Sequence, residues 1–292
     1  MPKRTRVIRT TGVISTRGLY SAALLFAVST NAMAQSGASG RRPPEDSTVG
    51  AKPLFTGRDA VLAAAFAGAT IAAFPLDKRI ATRLQHSSER TNKFLDHAAT
   101  GFELIASPGA YVIGGSMYAI GRLGHFDRVA DLGLHGTEAV FLGDAVTGVL
   151  KVVLGRSRPF VTQDSNPRDF KFGGGLRGEN RTSFPSGHTT SAFAAAAAVT
   201  AETSRWWPRS TWIVGPAMYG GATMVGLSRM YHDKHWASDV ALGAAIGTFS
   251  GQKLIQFLHS HPRNAIDRAL LHTALMPDGR GGATLSWSAA VR

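Results

Sequence analysis

The chain has 292 residues, a formal net charge of +13, 44% apolar residues and no cysteine. The missing cysteine excludes disulfides, thiol catalysis and thiolate metal sites. The basic balance suits an anionic substrate or an anionic membrane surface, and the cations are spread out with no basic-aromatic motif, which argues against nucleic acid.

In chain order, Lys3, Arg4, Arg6, Arg9 and Arg17 precede a short apolar run from Leu19 to Val28 and then Ala32-Met33-Ala34. This is the pattern of a secretory signal peptide, residues 1–34, cleaved near Ala34. The apolar run is too short to serve comfortably as a membrane anchor. Cleavage lowers the formal charge from +13 to +8. It places the chain in the periplasm or outside the cell, where a chain without cysteine depends on its core alone. Residues 35–53, rich in Gly, Ser, Pro and charge, read as a flexible leader. The folded domain is assigned to residues 54–275 and a tail to 276–292.

Helix-length apolar or amphipathic stretches follow at Asp59–Phe74, Thr91–Ile105, Ala110–Ile120, Leu134–Leu154, Thr189–Thr203, Thr211–Leu227 and Ala237–His259. Runs of period two are scarce, so the expected fold is an all-α helical bundle. The segment Gly281–Trp287 alternates weakly and is a candidate for one short strand. Pro75, Pro108, Pro208 and Pro216 punctuate the pattern.

Several of these helices are long enough to cross a membrane. Two of them are mostly alanine, and the mean hydropathy of the chain is −0.01. With the N-terminus outside, three spans before Lys151 would put the site in the cytoplasm and the Arg205–Arg209 turn outside, against the positive-inside tendency. A soluble or peripheral exported domain is therefore favoured, with Trp206 and Trp207 left as a candidate interfacial belt.

Three clusters carry the chemistry, all within residues 151–239. The first is Lys151-x6-Arg158-Pro159. Its two cations can meet on one phosphate if the backbone turns between them. Arg156 lies outside that spacing and reads as a surface charge or a headgroup contact. The second is Pro185-Ser186-Gly187-His188, ahead of an alanine-rich helix. A Ser-Gly step opening a helix presents backbone N–H groups to an anion, and His188 at its mouth can protonate a leaving oxygen. The third is Ser228-Arg229-x5-His235-x3-Asp239. His235 and Asp239 are four apart, on one helical face. A carboxylate there fixes the imidazole tautomer and leaves the other nitrogen free as a nucleophile. The fork of Arg229 suits two phosphate oxygens.

These motifs together resemble the type 2 phosphatidic acid phosphatase superfamily, which also holds bacterial class A acid phosphatases and vanadium haloperoxidases. The resemblance covers roughly residues 54 to 260. It implies phosphoryl transfer through a phosphohistidine on His235, with His188 as general acid and then base for water. It also implies that Asp239 orients His235, and that Lys151, Arg158, Arg229 and the Ser186–Gly187 turn stabilise the transition state. No metal and no cofactor are expected, since the three cations take over charge neutralisation.

Other readings are a vanadate-dependent haloperoxidase on the same fold and a non-catalytic phosphate or headgroup binder. A metal site from His232, His235 and Asp239 would leave three cations unexplained and repelling the ion. His232 is read as a loop residue lining the entrance. His86, His97, His125, His135, His259, His261 and His272 show no convergent partners along the sequence. The sequon at Asn180 is read as chance, and Gly173–Gly175 as a flexible loop or lid. The expected partner is a phosphorylated small molecule or lipid, with specificity set by the walls around residues 160–183, Tyr111 and Tyr118.

Overall fold

A computed structural model describes residues 53–86 and 92–261, together with Asn264, Asp267 and the backbone of two strands, 273–277 and 283–287. The signal-peptide reading, the leader up to residue 52 and His272 lie outside the described residues.

Eight α-helices occur among the described residues: α1 (Gly57–Ala73), α2 (Asp77–Leu84), α3 (Lys93–Ala106), α4 (Gly109–Leu123), α5 (Asp127–Leu154), α6 (Gly187–Trp206), α7 (Thr211–Tyr231) and α8 (Ala237–Ser260). Seven match the expected stretches. The eighth, α2, is short and charged, so a search for long apolar runs passes over it. It follows a 3-10 turn at Phe74–Leu76 that has Pro75 in its first turn, where a missing N–H costs nothing. The tail carries an antiparallel hairpin, β1 (Thr273–Pro277) with β2 (Ala283–Trp287), and Thr273 stands opposite Trp287. The single expected strand thus has a partner, and the boundary drawn at residue 275 falls inside β1.

Local signals explain several helix ends. The side chain of Asn92 accepts hydrogen bonds from the N–H groups of Phe94 and Leu95 and caps α3. Asp59 accepts from the N–H of Thr56 at 2.7 Å and from its hydroxyl at 2.8 Å, closing the first turn of α1. Gly155 ends α5 with φ +57°, and a Cβ there would lie 2.0 Å from the Lys171 carbonyl oxygen. Only glycine fits that turn.

Helix α6 packs against α5, α7 and α8. Its alanines 194 and 196–198 are buried, and short side chains let neighbouring backbones approach. On α8, Gly243, Gly247 and Gly251 repeat every four residues along the contact with α6. A Cβ at Gly243 would lie 2.6 Å from the Ser186 carbonyl oxygen, at Gly247 2.3 Å from that of Thr190, and at Gly251 2.6 Å from that of Ala194. This close approach fixes the start of α6 against the start of α8, where the Ser186 N–H donates to the Asp239 carbonyl at 3.0 Å.

The bundle does not turn all its apolar faces inward. Phe94, Leu104, Val112, Ile120, Leu123, Phe141, Val149, Trp212 and Ile213 are each exposed by 60% or more. The closed core centres on Ala139, Val140, Ala194, Ala198 and Ile255. Single exposed apolar residues are ordinary, but whole helix faces are not. One stretch, Gly57–Leu84, has a mean hydropathy of 1.7 and is long and apolar enough to cross a membrane. Helices α6 and α8 are the buried core expected of them, whereas α3, α4, α5 and α7 keep apolar faces outward.

Candidate functional site

The three clusters meet at one end of the bundle. Lys151 occupies the last turn of α5 and Arg158 the loop behind it. Both fasten to one residue, Thr182: the Lys151 ammonium donates to its carbonyl at 2.6 Å, and the Arg158 guanidinium to its hydroxyl at 3.2 Å. Arg158 Nε also donates to the Glu179 carbonyl at 2.9 Å. The backbone turn that this convergence requires is supplied by Gly155, which ends α5 between the two cations. Ser186 caps α6 and is buried, with its Oγ accepting from the Thr189 hydroxyl at 2.8 Å. Gly187 opens that helix, and a Cβ there would sit 3.6 Å from Lys151 Cε. His188 follows beside it.

His235 lies in the turn between α7 and α8 and is buried. Its Nδ1 faces Asp239 Oδ2 at 3.4 Å, a long contact of the kind that tightens when a site fills. Asp239 is fully buried in the first turn of α8. It accepts from the N–H of Trp236 at 2.8 Å and from the hydroxyl of Ser183. Arg229, in the last turn of α7, pairs with Glu103 of α3.

Electrostatics follow from this crowding. Burial pushes the His235 imidazolium down to about 3; the Asp239 carboxylate opposes the shift and Lys151 adds to it. Burial and then Arg229 bring His188 down to about 4. Burial and the nearby Arg158 bring Lys151 to about 8. Burial pushes the Asp239 carboxyl up, but Arg156 and His235 outweigh it and hold it below its ordinary range. Both imidazoles are therefore neutral at neutral pH in an unfilled site, among cations held in a dry environment. Such an arrangement favours an anion.

Several positions depart from the sequence reading or were missed by it. Arg156 is no surface charge. It is fully buried and ion-paired to Asp239 and, at 2.6 Å, to Asp77 of α2. It donates to Ser238 Oγ at 2.7 Å and to the Pro167 carbonyl, and the rings of Phe74, Phe170, Phe184 and Trp236 surround it. It fixes the residue that faces His235. Glu103 was not singled out, yet it takes Arg229 on one oxygen and His232 Nδ1 at 2.7 Å on the other. His232 lies in the turn after α7, a loop residue as expected, with its ring held by Glu103. Asp144 of α5 accepts from the Tyr111 hydroxyl at 2.9 Å and from Ser191 at 2.8 Å. The Gly173–Gly175 segment forms no separate lid: a Cβ at Gly175 would lie 2.3 Å from the Lys151 carbonyl oxygen, so it packs on the end of α5. Among the described residues, His232, His235 and Asp239 do not bring three ligand atoms together.

Two cavities lie in the bundle. A polar one of about 190 Å³ is at this end, lined by Ser107, Asp144, Thr147, Lys151, His188 and Ser191. An apolar one of about 250 Å³ lies between α3, α4, α5, α6 and α7, and includes Ala106 and Ala192, the chain neighbours of Ser107 and Ser191.

Cations and two histidines are thus gathered at the ends of packed helices, in a surrounding that favours an anion. The family model of the PAP2 superfamily matches residues 134–262, which contain all three clusters. It is 43% identical over 75 residues to a lipid A 1-phosphatase of Porphyromonas gingivalis. That alignment covers 26% of this chain and only 16% of the relative. Among solved structures, the chain resembles a transmembrane PAP2-type phosphatidylglycerolphosphate phosphatase from Bacillus subtilis, with a TM-score of 0.50 and 22% identity. The match covers 70% of this chain and 94% of that one. It bears on the fold, which the two chains share.

Proposed function

We propose that this chain is a phosphatase acting on lipid-linked phosphates through a phosphohistidine on His235. The observation that carries the lipid reading is an apolar cavity of about 250 Å³ among the same helices that carry the site. An anion held by Lys151, Arg158 and Arg229 at the helix ends, with an apolar chamber between those helices, suits a phosphate bearing a hydrocarbon chain. The relatives named above are lipid phosphatases by title, which supports the same class.

The steps follow from the placement of the side chains. The phosphate displaces Glu103 from Arg229 and is gripped by the three cations and by the backbone N–H groups that open α6. Asp239 holds the Nδ1–H of His235, leaving the Nε2 lone pair outward. Nε2 attacks phosphorus while the bond to the leaving oxygen breaks, and His188 gives that oxygen its proton. Water then attacks phosphorus, His188 takes a proton from it, and the P–N bond breaks to release phosphate. His188 must be protonated for the first step. Its pKa in the unfilled site is about 4, but a bound phosphate offsets the cations that depress it and so raises it.

The same reading places the protein at a membrane. The exposed faces of α3, α4, α5 and α7 and the apolar stretch Gly57–Leu84 would lie against lipid, and the Bacillus subtilis neighbour is transmembrane by title. The basic and apolar pattern of the first 34 residues supports export.

The test is rapid acid-free quenching of the detergent-solubilised chain with a lipid phosphate labelled in its phosphate. Wild type should carry acid-labile label on protein and His235→Ala none. Equal labelling of both, or full turnover by His235→Ala, would rule the mechanism out. A preference for an aryl phosphate over the lipid would overturn the substrate class while sparing the mechanism.

A further inference from the structure

A second buried cluster of ionisable groups sits at the opposite end of the bundle. His135 of α5, Glu202 of α6 and His259 of α8 converge there. His135 Nδ1 lies 2.6 Å from Glu202 Oε1, and His259 Nε2 lies 2.8 and 2.9 Å from the two Glu202 oxygens. One ligand atom from each falls within 4.8 Å of the others. Along the helices, 14 to 20 residues separate these positions from Lys151, His188 and Asp239, so the two clusters lie about 20–30 Å apart at 1.5 Å per residue.

Two further carboxylates lie by this cluster with buried oxygens left unbonded; Asp267 keeps one bond, its Oδ2 accepting from Asn264 Nδ2 at 2.6 Å. The other nitrogen of His135, Nε2, points to Asp267 Oδ1 at 3.6 Å, and neither atom is hydrogen-bonded. His135 is 4% exposed and Asp267 8%. Glu138, one turn along α5 from His135, has both carboxylate oxygens buried and unbonded. No lysine or arginine donates to Glu202, Glu138 or Asp267 among the described residues. Three carboxylates and two imidazoles in a dry pocket leave negative charge uncompensated, which is costly unless protons or a cation enter.

The geometry points to a divalent transition-metal site, of zinc type, held by His135 Nδ1, Glu202 and His259 Nε2. Two imidazoles and a carboxylate are the donor set zinc takes, with a fourth position for water. With Nδ1 on the metal, His135 Nε2–H would donate to Asp267, the carboxylate–histidine–metal arrangement that fixes ring orientation and raises ligand basicity. Bonds of about 2.0–2.2 Å require the ligand atoms to open to roughly 3.3 Å apart, a small change for side chains on three helices. The His259 side chain is 26% exposed and offers the way in. The site would clamp α5, α6 and α8 together far from the phosphate chemistry, and it stands whether or not the chain is a lipid phosphatase.

The test uses the full chain in detergent, stripped with EDTA, desalted and titrated with zinc chloride. Wild type should retain one zinc per chain after gel filtration and melt at a higher temperature with zinc. His259→Gln, altered at the partly exposed ligand, should bind at least about tenfold more weakly and lose the melting shift. His235→Ala should keep both, which separates this site from the histidines of the phosphate site. If His259→Gln fails to fold, cobalt substitution of the wild type decides: visible bands of a tetrahedral nitrogen and oxygen site are expected. No stoichiometric zinc in wild type, equal binding by His259→Gln, loss of the zinc in His235→Ala, or a featureless cobalt spectrum would overturn the assignment and leave protons as what neutralises the cluster.

Discussion

The two ends of the bundle solve the same electrostatic problem with opposite signs. At the Lys151 end, Lys151 and Arg158 pair with no carboxylate among the described residues and donate to Thr182 instead, and Asp239 is saturated by Arg156, Ser183 and Trp236. At the His135 end, acids outnumber cations, and His135 Nε2, Asp267 Oδ1 and both oxygens of Glu138 have no hydrogen-bond partner. A buried charge must be paired, and what it still lacks indicates what would complete it. The first end lacks an anion that comes and goes. The second lacks a cation that could stay. The difference separates a site built for turnover from one suited to holding the fold.

The comparison can be broken most severely at His235. His235→Ala should lower phosphate release from the preferred substrate by on the order of 1000-fold or more, since the proposed nucleophile is lost. Activity within tenfold of wild type would leave the first end without its assigned role.

Next comes Arg156, the residue that makes the first end saturated. Arg156→Met would leave Asp77 and Asp239 buried without their cation, at a cost of about 3–5 kcal/mol, read as a large fall in melting temperature. Arg156→Lys keeps the charge but not the fork. It should lower kcat about 10- to 100-fold with little change in KM, because Asp239 would no longer hold His235 in line. A matched loss in both parameters would mean that Arg156 touches substrate instead.

Smaller is the effect of pH on filling the first end. His188 is down at about 4 in the unfilled site through burial and the nearby Arg229. An incoming phosphate counters that guanidinium and raises the pKa, so binding takes up a proton between that value and the raised one. Phosphate or vanadate affinity should therefore weaken as pH rises across this window. Calorimetry at pH 6 in buffers of different ionisation heat should register proton uptake. Proton release would contradict the placement of His188 among the cations.

Smallest is Thr182→Val, which removes the hydroxyl under Arg158 but keeps the carbonyl under Lys151. A loss of about 1 kcal/mol of substrate binding is expected, seen as a several-fold rise in KM with kcat held. A fall in kcat alone would show that Thr182 positions the transition state rather than the bound anion.

Much of this architecture could be read along the chain. The clusters from Lys151 to Asp239 declare themselves because each is contiguous or nearly so, and the helices between them are long and apolar. What stayed hidden depends on pairs distant in sequence. Arg156 meets Asp77 across 79 residues, and Glu202 meets His135 across 67 and His259 across 57. Glu103 reaches Arg229 only because α3 packs on α7. No spacing rule encodes those meetings; helix packing does. The outward apolar faces escaped for a related reason. Alanine on the inside and larger aliphatic residues on the outside give a bland mean hydropathy, and only the fold shows which side is which.

The glycine stripe of α8 has a consequence for anyone stabilising this protein. Replacing a helical glycine with alanine ordinarily gains up to about 1 kcal/mol. At Gly247 the added methyl would meet the Thr190 carbonyl oxygen at 2.3 Å, so α8 would have to step away from α6. A helix is stiff along its axis, and Gly247 stands about 12 Å from Asp239 and about 18 Å from His259. One methyl group in the middle would act on both ends as on the arms of a lever, loosening a charge pair at each. The position with no side chain is where the two chemistries of the molecule are mechanically joined.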